Sequence, residues 1–124
     1  MKLLDTSAWI EYFKATDKGV KIKQLIENSA VFTSAISLAE LPKWVKENNL
    51  DLDWAIDQIK TNSQIINIDE SIFIDSGKRY IDLRKLNNKI GLIDAIIYTT
   101  AIANNLDLMT TDYDFTNLIN VKML

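Results

Sequence analysis

The chain has 124 residues, of which 48% are hydrophobic, enough for one core and too few for two. We therefore expect a single domain spanning residues 1–124. It contains no Cys and no His, which excludes disulfides, thiolate or imidazole metal ligands and a histidine general base. The net charge of −3 and pI of about 4.9 leave no basic footprint for non-specific nucleic-acid binding, although clustered carboxylates would lower the pI by themselves.

No apolar stretch is long enough to cross a membrane. The first apolar residues are interrupted at once by Asp5, where a secretory signal would continue its apolar run. We therefore expect a cytoplasmic protein without a membrane partner.

Apolar runs between turn signals predict strands, and apolar residues at helical spacing predict helices. In chain order these are strand 2–5, helix 7–13, a helix from Asp17 to about 28, strand 30–33, a helix from Ser34 or Ser37 to about 46, a helix from Asp51 or Asp53, strand 64–68, helix 69–86, helix 92–104, strand 106–110, a helical turn 114–118 and strand 120–124. The predicted caps are Asp17 for the second helix, Ser34 or Ser37 for the third, Asp51 or Asp53 for the fourth and Asp69 for the fifth. Pro42 lies inside the third helix, where it removes a hydrogen bond, so we expect a kink or a restart near Leu41.

Strands that alternate with helices predict an α/β fold, a three-layer α/β/α arrangement around a parallel sheet of four to five strands. Right-handed crossovers bring the carboxyl ends of the strands to one edge of that sheet. Ligands and chemistry collect at this edge in open α/β sheets.

Four acidic residues fall at this predicted edge. Asp5 ends the first strand, Glu40 lies on the helix after the second strand, and Asp94 lies in the first turn of an apolar helix. Asp112 follows the strand near the C-terminus. Two carboxylates about 4 Å apart repel by roughly 4 kcal/mol at an effective dielectric near 20. If the four converge, a hard divalent cation such as Mg²⁺ or Mn²⁺ is the simplest compensation.

Each of these acids also has an ordinary alternative role. Asp5 is equally suited to capping the helix after it, and Asp94 to the positive end of its own helix. Asp112 also fits a turn. Glu40 has no capping role; its alternatives are exposure to solvent or a salt bridge with Lys43 or Lys46.

Short motifs in this chain resemble, in the same order, those of PIN-domain nucleases. They are Leu4-Asp5-Thr6-Ser7, Ser37-Leu38-Ala39-Glu40-Leu41, Ile93-Asp94-Ala95-Ile96-Ile97 and Thr110-Thr111-Asp112-Tyr113-Asp114-Phe115. The resemblance covers nearly the whole chain, and the short single-domain form is similar to VapC toxins of type II toxin–antitoxin pairs. The departure from the pattern is Pro42, directly behind the glutamate motif.

This resemblance implies a metal-dependent endoribonuclease whose products carry a 5′-phosphate and a 3′-hydroxyl. It implies that one or two Mg²⁺ or Mn²⁺ ions are held by an acidic quartet: Asp5, Glu40, Asp94 and Asp112. Thr6 and Thr110 match hydroxyl positions that orient the first and last aspartates, and Asp114 matches a further acidic position of variable role.

The resemblance also implies an RNA substrate, a cognate antitoxin and a homodimer. Candidate contacts to the RNA backbone are basic residues, although for any one of them a solvated helix face is the commoner role: Lys14, Lys18, Arg79, Arg84, Lys85 and Lys89. The aromatic residues of the N-terminal half could stack on bases or form core and interface. Trp44-Val45 and the Trp54 helix are candidate docking surfaces for a protein partner.

Two other classes of protein share parts of this pattern. A receiver-like phosphoacceptor has an acidic strand end but needs paired acids there and a Lys at a later strand end; Asp5 stands alone and Lys122 comes too late. A catalytically silent binding module could use its acidic groove for a basic peptide, and composition does not exclude it.

Overall fold

A parallel five-stranded sheet lies at the centre of the computed structural model, which describes all residues, Met1–Leu124. Its strands are β1 (Lys2–Leu4), β2 (Val31–Ser34), β3 (Gln64–Ile66), β4 (Asp107–Thr110) and β5 (Val121–Met123). The helices are α1 (Thr6–Lys14), α2 (Asp17–Asn28), α3 (Ser37–Glu47), α4 (Leu52–Asn62), α5 (Glu70–Leu86) and α6 (Leu92–Ala103). A short 3-10 turn covers Tyr113–Phe115.

The strands are ordered β3-β2-β1-β4-β5, with every neighbouring pair parallel. Leu3 of the central strand lies between Phe32 on one side and Leu108 on the other. The predicted α/β class, the parallel sheet and its five strands are confirmed.

The core is divided between the two faces of this sheet. Successive residues of a strand point to opposite faces of the sheet, so the fully buried Leu3 and Leu4 pack on opposite sides of it. Leu3 packs in a cluster with residues of α6, β4 and the end of α5. Leu4 packs in a second cluster with residues of α1, α3 and α4. The three-layer arrangement follows from this division.

The caps of α4 and α5 agree with the sequence. Asp51 accepts a hydrogen bond from the Trp54 N–H at 3.2 Å, and Asp69 accepts one from the Ile72 N–H at 3.0 Å. The prediction for α2 is wrong: the cap is Thr16, whose hydroxyl accepts from the Gly19 N–H at 3.1 Å, and Asp17 is the first helical residue.

Helix α3 departs from prediction at two points. Its capping position is Ile36, so neither predicted serine caps it. Of the two outcomes expected at Pro42, the restart near Leu41 is wrong because the helix is continuous from Ser37 to Glu47, while the kink stays a prediction. Strand β3 ends two residues earlier than predicted, at Ile66. None of the helices is both long and apolar enough to cross a membrane.

Candidate active site

The carboxyl ends of the strands form a pocket of about 230 Å³. Its carboxylates are those predicted to converge, and each comes from a different part of the chain: Asp5, Glu40, Asp94 and Asp112. Thr6, Ser7 and Ile10 complete the lining of what we call the acidic pocket. Asp5 and Asp112 meet because β1 and β4 are hydrogen-bonded neighbours, with Leu4 paired to Met109.

Asp5 is buried, with only 4% of its surface exposed. It occupies the capping position of α1, yet its side chain makes no capping hydrogen bond. Its Oδ2 atom instead accepts hydrogen bonds from Ser7 Oγ at 2.8 Å and Thr110 Oγ1 at 2.7 Å. The side chain is therefore held mainly by hydroxyls at the sheet edge, and the Thr6 backbone adds a smaller contribution that opposes the rise in the pKa of Asp5.

The two hydroxyls that hold Asp5 are themselves held by backbone donors. Ser7 Oγ accepts from the Thr111 N–H at 3.1 Å, and Thr110 Oγ1 accepts from the Asp112 N–H at 3.0 Å. Each hydroxyl has a single proton, which it donates to the carboxylate, while its lone pairs take the amide proton. This network fixes one oxygen of Asp5 and leaves Oδ1 free of hydroxyl donors.

Thr6 contacts a different acid from the one expected. Its hydroxyl donates to Glu40 Oε1 at 2.7 Å and lies 2.9 Å from Ser37 Oγ. Thr6 therefore orients Glu40, whereas Thr110 orients the first aspartate and Ser7 assists it. The expectation that Thr6 orients Asp5 is therefore wrong.

Glu40 is not engaged in the salt bridge considered as its alternative. Lys43 lies 3.8 Å from Glu47 instead. The other alternative, exposure to solvent, is confirmed, since Glu40 is an exposed residue; its carboxyl end nevertheless lines the acidic pocket and is bound by Thr6.

Asp94 and Asp112 each combine a local role with their place in the pocket. The Gly91 N–H donates to Asp94 Oδ2 at 3.0 Å, and the Asp114 N–H donates to Asp112 Oδ1 at 2.9 Å. Asp94 therefore does bind the N-terminus of its own helix, and Asp112 does stabilise a turn, as the alternatives from the sequence proposed. Each residue still keeps a second carboxylate oxygen without a protein donor.

Asp114 does not line the acidic pocket. It lines a neighbouring pocket, where Asn87 Nδ2 approaches its Oδ1 at 3.3 Å and its carbonyl oxygen at 3.4 Å. The family resemblance gives Asp114 a supporting role of variable kind, and its spacing of two residues from Asp112 does not decide the direction of the side chain.

The acidic pocket is electrostatically unbalanced. No Lys or Arg lines it, and none of the four salt bridges of the chain involves its carboxylates. Burial raises the pKa of Asp5, Glu40 and Asp94, and repulsion from neighbouring carboxylates raises each further. Hydrogen bonds from Thr110 and Ser7 oppose the rise in the pKa of Asp5, and the Thr6 hydroxyl opposes that of Glu40.

The donor atoms suit a hard cation in their chemistry. Carboxylate and hydroxyl oxygens are ligands that Mg²⁺ and Mn²⁺ prefer. No three acidic side chains approach closely enough to form a ready metal site, so an ion would have to draw the carboxylates inward. The pocket therefore suits such an ion in donor type and charge, but its carboxylates would have to move closer together to coordinate it.

Two residues of this network, Ser7 and Ser37, were not predicted from the sequence to belong to the site. The signal for Ser7 is its position two residues after an aspartate, from which a hydroxyl can reach back to the carboxylate. Ser71 repeats this geometry with Asp69 at 2.8 Å. The contact of Ser37 with Thr6 joins α3 to α1 over 31 positions and has no local signal.

The expected stacking residues of the N-terminal half form a cluster under the helices. Trp9 is fully buried and donates from Nε1 to Thr33 Oγ1 at 3.0 Å. The Phe13 ring centroid lies 6.3 Å from that of Trp44 and 5.5 Å from that of Trp54. Trp9 therefore belongs to the core, Phe13 and Trp44 pack against it, and Trp54 is exposed over 46% of its surface.

A parallel β3-β2-β1-β4-β5 sheet with acidic residues at its carboxyl edge defines this protein as an α/β domain of the PIN class. The PIN domain family matches residues 2–119, and the chain belongs to this family. No curated protein sequence matches it.

Several solved structures are similar over nearly their whole length. Rickettsia felis VapBC2 bound to a promoter DNA fragment matches with a TM-score of 0.75 and 23% identity, covering 99% of this chain and 96% of that one. A toxin–antitoxin complex from Klebsiella pneumoniae matches with a TM-score of 0.72 and 27% identity, covering 98% and 96%. The Sarcin-Ricin loop cleaving toxin VapC20 of Mycobacterium tuberculosis matches with a TM-score of 0.72 and 13% identity, covering 98% and 99%.

Proposed function

We propose that this protein is a metal-dependent endoribonuclease and the toxin of a type II toxin–antitoxin pair. The observation that carries the proposal is the acidic pocket, in which carboxylates from four separate parts of the chain converge with no basic side chain among them. Membership of the PIN family and the similarity to toxin–antitoxin structures support the same function.

The four pocket carboxylates would hold Mg²⁺ or Mn²⁺: Asp5, Glu40, Asp94 and Asp112. A bound ion of this kind lowers the pKa of a water ligand toward neutrality and stabilises the charge that develops on phosphodiester oxygens. This chemistry suits a chain without His, because no side chain is then required as the general base.

The protein's own residues supply position and charge. Ser7 and Thr110 hold one oxygen of Asp5 and leave the other for a ligand. Thr6 holds Glu40 from the start of α1, and the Gly91 N–H holds Asp94 from the start of α6. These carboxylates are therefore fixed where strands end and helices begin. Fixed positions of this kind are required to place reacting groups precisely.

An RNA substrate is supported by the family resemblance and by the activity named for a toxin of the same fold. Of the expected backbone contacts, Arg79 donates to Thr99 Oγ1 at 3.1 Å and Arg84 to the Ile90 carbonyl at 3.3 Å. Those two side chains are already partly engaged within the protein. The lysines remain as candidates for phosphate contacts: Lys14, Lys18, Lys85 and Lys89. Lys14 and Lys85 each lie near an acid of their own helix, Glu11 at 4.0 Å and Asp82 at 3.9 Å.

A cognate antitoxin is the proposed protein partner, and the fold is shared with chains solved in toxin–antitoxin complexes. Of the predicted docking surface, Val45 is fully buried and contributes core packing only. Trp54, exposed over 46% of its surface beside Trp44 and Phe13, remains the candidate contact. A homodimer is also proposed, from the family resemblance alone.

The test is cleavage of structured RNA by the parent protein and by Asp5→Asn, with Mg²⁺, with Mn²⁺ and with EDTA. We expect products with 5′-phosphate ends from the parent with metal. The cleavage rate of Asp5→Asn should be at least about 100-fold lower, because loss of a metal ligand should lower activity at least as much as loss of a residue that positions such a ligand. Asp57→Asn, an exposed acid on α4, is the matched control and should cut like the parent. Cleavage that persists in EDTA or in Asp5→Asn would contradict the proposal.

The second candidate is a silent binding module that takes a basic peptide in the acidic pocket. The absence of any internal cation there favours this alternative as well. It predicts that an Arg-rich peptide binds the parent and that no RNA is cut with any metal.

A further inference from the structure

A larger pocket of about 440 Å³ lies beside the acidic pocket, between the loop that follows α5 and the 3-10 turn. Its volume is within the range of pockets that hold small organic ligands. We call it the side pocket, and its lining includes Leu86, Asn87, Ile90, Tyr113, Asp114 and Leu118. Half of its lining residues are hydrophobic, so it differs in character from the acidic pocket.

The two pockets are joined through consecutive residues of one turn. Asp112 lines the acidic pocket, whereas Tyr113 and Asp114 line the side pocket. The Asp114 N–H donates to Asp112 Oδ1 at 2.9 Å. A chain of nucleotides whose phosphate occupied the acidic pocket would therefore place a neighbouring base near the side pocket.

The lining offers the two features by which proteins recognise unpaired bases. Tyr113 exposes 77% of its surface and pairs with no other aromatic ring, so its face is free to stack. Asp114 presents a carboxylate whose Oδ2 has no protein donor and whose Oδ1 receives only the 3.3 Å contact from Asn87. Unpaired RNA bases are typically stacked on aromatic side chains and hydrogen-bonded along their edges.

The carboxylate also selects among the bases. An ionised Asp only accepts hydrogen bonds, so it suits a base edge that presents donors. Guanine carries two adjacent donors on its Watson–Crick edge, the ring N1–H and the 2-amino group, which match the two oxygens of one carboxylate. Uracil presents a single ring N–H between two carbonyl oxygens, which the carboxylate would repel.

From these observations we infer that the side pocket is a base-recognition site that holds an unpaired guanine of the RNA, stacked on Tyr113 and bonded to Asp114. The inference rests on the proposed ribonuclease function and extends it to the choice of substrate. Asn87 acts as a positioning residue, because its amide holds Asp114 while its own Oδ1 accepts from the Lys89 N–H at 3.0 Å.

The test measures binding without cleavage, so that it is independent of the nuclease proposal. Asp5→Asn protein labelled with ¹⁵N, in which cleavage should be at least about 100-fold slower, is titrated in Mg²⁺ with pentanucleotide RNAs that carry U at four positions and G, inosine or U at the third. Mg²⁺ is present because the carboxylates of the acidic pocket would otherwise repel the RNA phosphates. We expect the G-containing RNA to shift the amide signals of Asn87, Tyr113 and Asp114 at the lowest concentration. Inosine, which lacks the 2-amino group, should bind more weakly, and the all-U RNA more weakly still.

Two variants and a control make the test specific. Tyr113→Ala should weaken binding of the G-containing RNA by about fivefold or more, as expected for loss of base stacking. Asp114→Asn should remove the preference for G over U. Phe73→Ala is the matched control, because Phe73 is another exposed aromatic and lies roughly 20 Å along α5 from Leu86 in the side pocket. This variant should leave binding unchanged.

The inference is overturned if G and U RNAs shift the same signals equally, or if the shifts lie away from the side pocket. It is also overturned if N-acetyl-arginine amide shifts these signals and the G-containing RNA does not, since the pocket would then belong to a protein partner. Loss of metal-dependent cleavage in every assay, with the guanine-specific shifts intact, would contradict the nuclease proposal alone.

Discussion

Thr6 and Glu40 are joined by a 2.7 Å hydrogen bond that ties the start of α1 to α3 beside the acidic pocket. Thr6 is only 8% exposed, whereas Glu40 is an exposed residue, so the bond is part-buried and shielded from water on the Thr6 side. Burial, followed by the charges of Asp5, Asp94 and Asp112, raises the pKa of Glu40, and the Thr6 hydroxyl opposes that rise. Thr6 therefore helps to keep the Glu40 carboxylate both ionised and in place.

Replacing Thr6 with Val removes the hydroxyl and keeps the shape of the side chain. We expect metal-dependent cleavage to fall by about 10- to 100-fold, as for other groups that orient a metal ligand. The acidic limb of the pH–rate profile should move to higher pH, because Glu40 loses a donor that favours its charged form. Rates measured from pH 5 to 9 with Thr6→Val and Thr6→Ser test this expectation. If Thr6→Ser is as impaired as Thr6→Val and neither profile moves, the role of Thr6 is packing alone.

Gly19 and Gly77 form a matched pair for testing the packing of the helices. A Cβ atom on Gly19 would lie 2.1 Å from the Glu11 carbonyl oxygen, so alanine there must push α2 away from α1. A Cβ on Gly77, within α5, would meet no atom within 4 Å. We expect Gly19→Ala to destabilise by about 1–3 kcal/mol and Gly77→Ala to stabilise by about 0.5–1 kcal/mol. Urea unfolding of both variants gives the comparison, and a Gly19→Ala protein as stable as its parent would show that the helices do not approach so closely.

The features that the sequence predicts correctly depend on local pattern and on topology. Alternating strands and helices require crossovers, and crossovers bring strand ends such as Asp5 and the residues after β4 to one edge. The caps at Asp51 and Asp69 have donors only three residues away. The convergence of the four carboxylates follows from these rules, although their role as metal ligands stays a prediction.

The features that the sequence does not predict depend on contacts between distant segments or on competition between neighbours. Thr6 reaches Glu40 over 34 positions, a pairing that depends on how α1 packs against α3. Thr16 displaces Asp17 as the cap of α2 because its hydroxyl contacts the Gly19 N–H and also the Glu11 carboxylate. The direction of Asp114 depends on Asn87, 27 positions earlier.

The raised pKa values in the acidic pocket determine how stability depends on pH without metal. Asp5, Glu40 and Asp94 have higher pKa values in the folded protein, chiefly because burial disfavours their charged forms. In the unfolded chain these acids lose their protons near pH 4. Above that pH the folded state binds more protons than the unfolded state, so the free energy of unfolding falls as pH rises toward the folded-state pKa values.

We therefore expect the Tm of the parent in EDTA to fall, relative to a Glu40→Gln, Asp94→Asn double variant, as pH rises from about 4 to neutrality. The comparison with the variant is needed because Asp69 and Asp107 have lowered pKa values and contribute the opposite slope. Circular dichroism melts at half-unit pH intervals measure this difference. A constant difference in Tm across the range would mean that the pocket acids titrate as they do in the unfolded chain.

Adding a divalent ion should reverse this loss of stability at neutral pH, since an ion bound only by the folded state stabilises it by mass action. At a free Mn²⁺ concentration 100 times its Kd, the expected gain is about 2.7 kcal/mol. Melts of the EDTA-treated parent with increasing Mn²⁺ should show a rising Tm, which Glu40→Gln, Asp94→Asn should lose and an Asp57→Asn control should keep. A parent whose Tm does not respond to millimolar Mn²⁺ has no site of useful affinity in the absence of RNA. A rise that persists in the double variant places the ion elsewhere, because the acidic pocket would then hold only two of its four carboxylates.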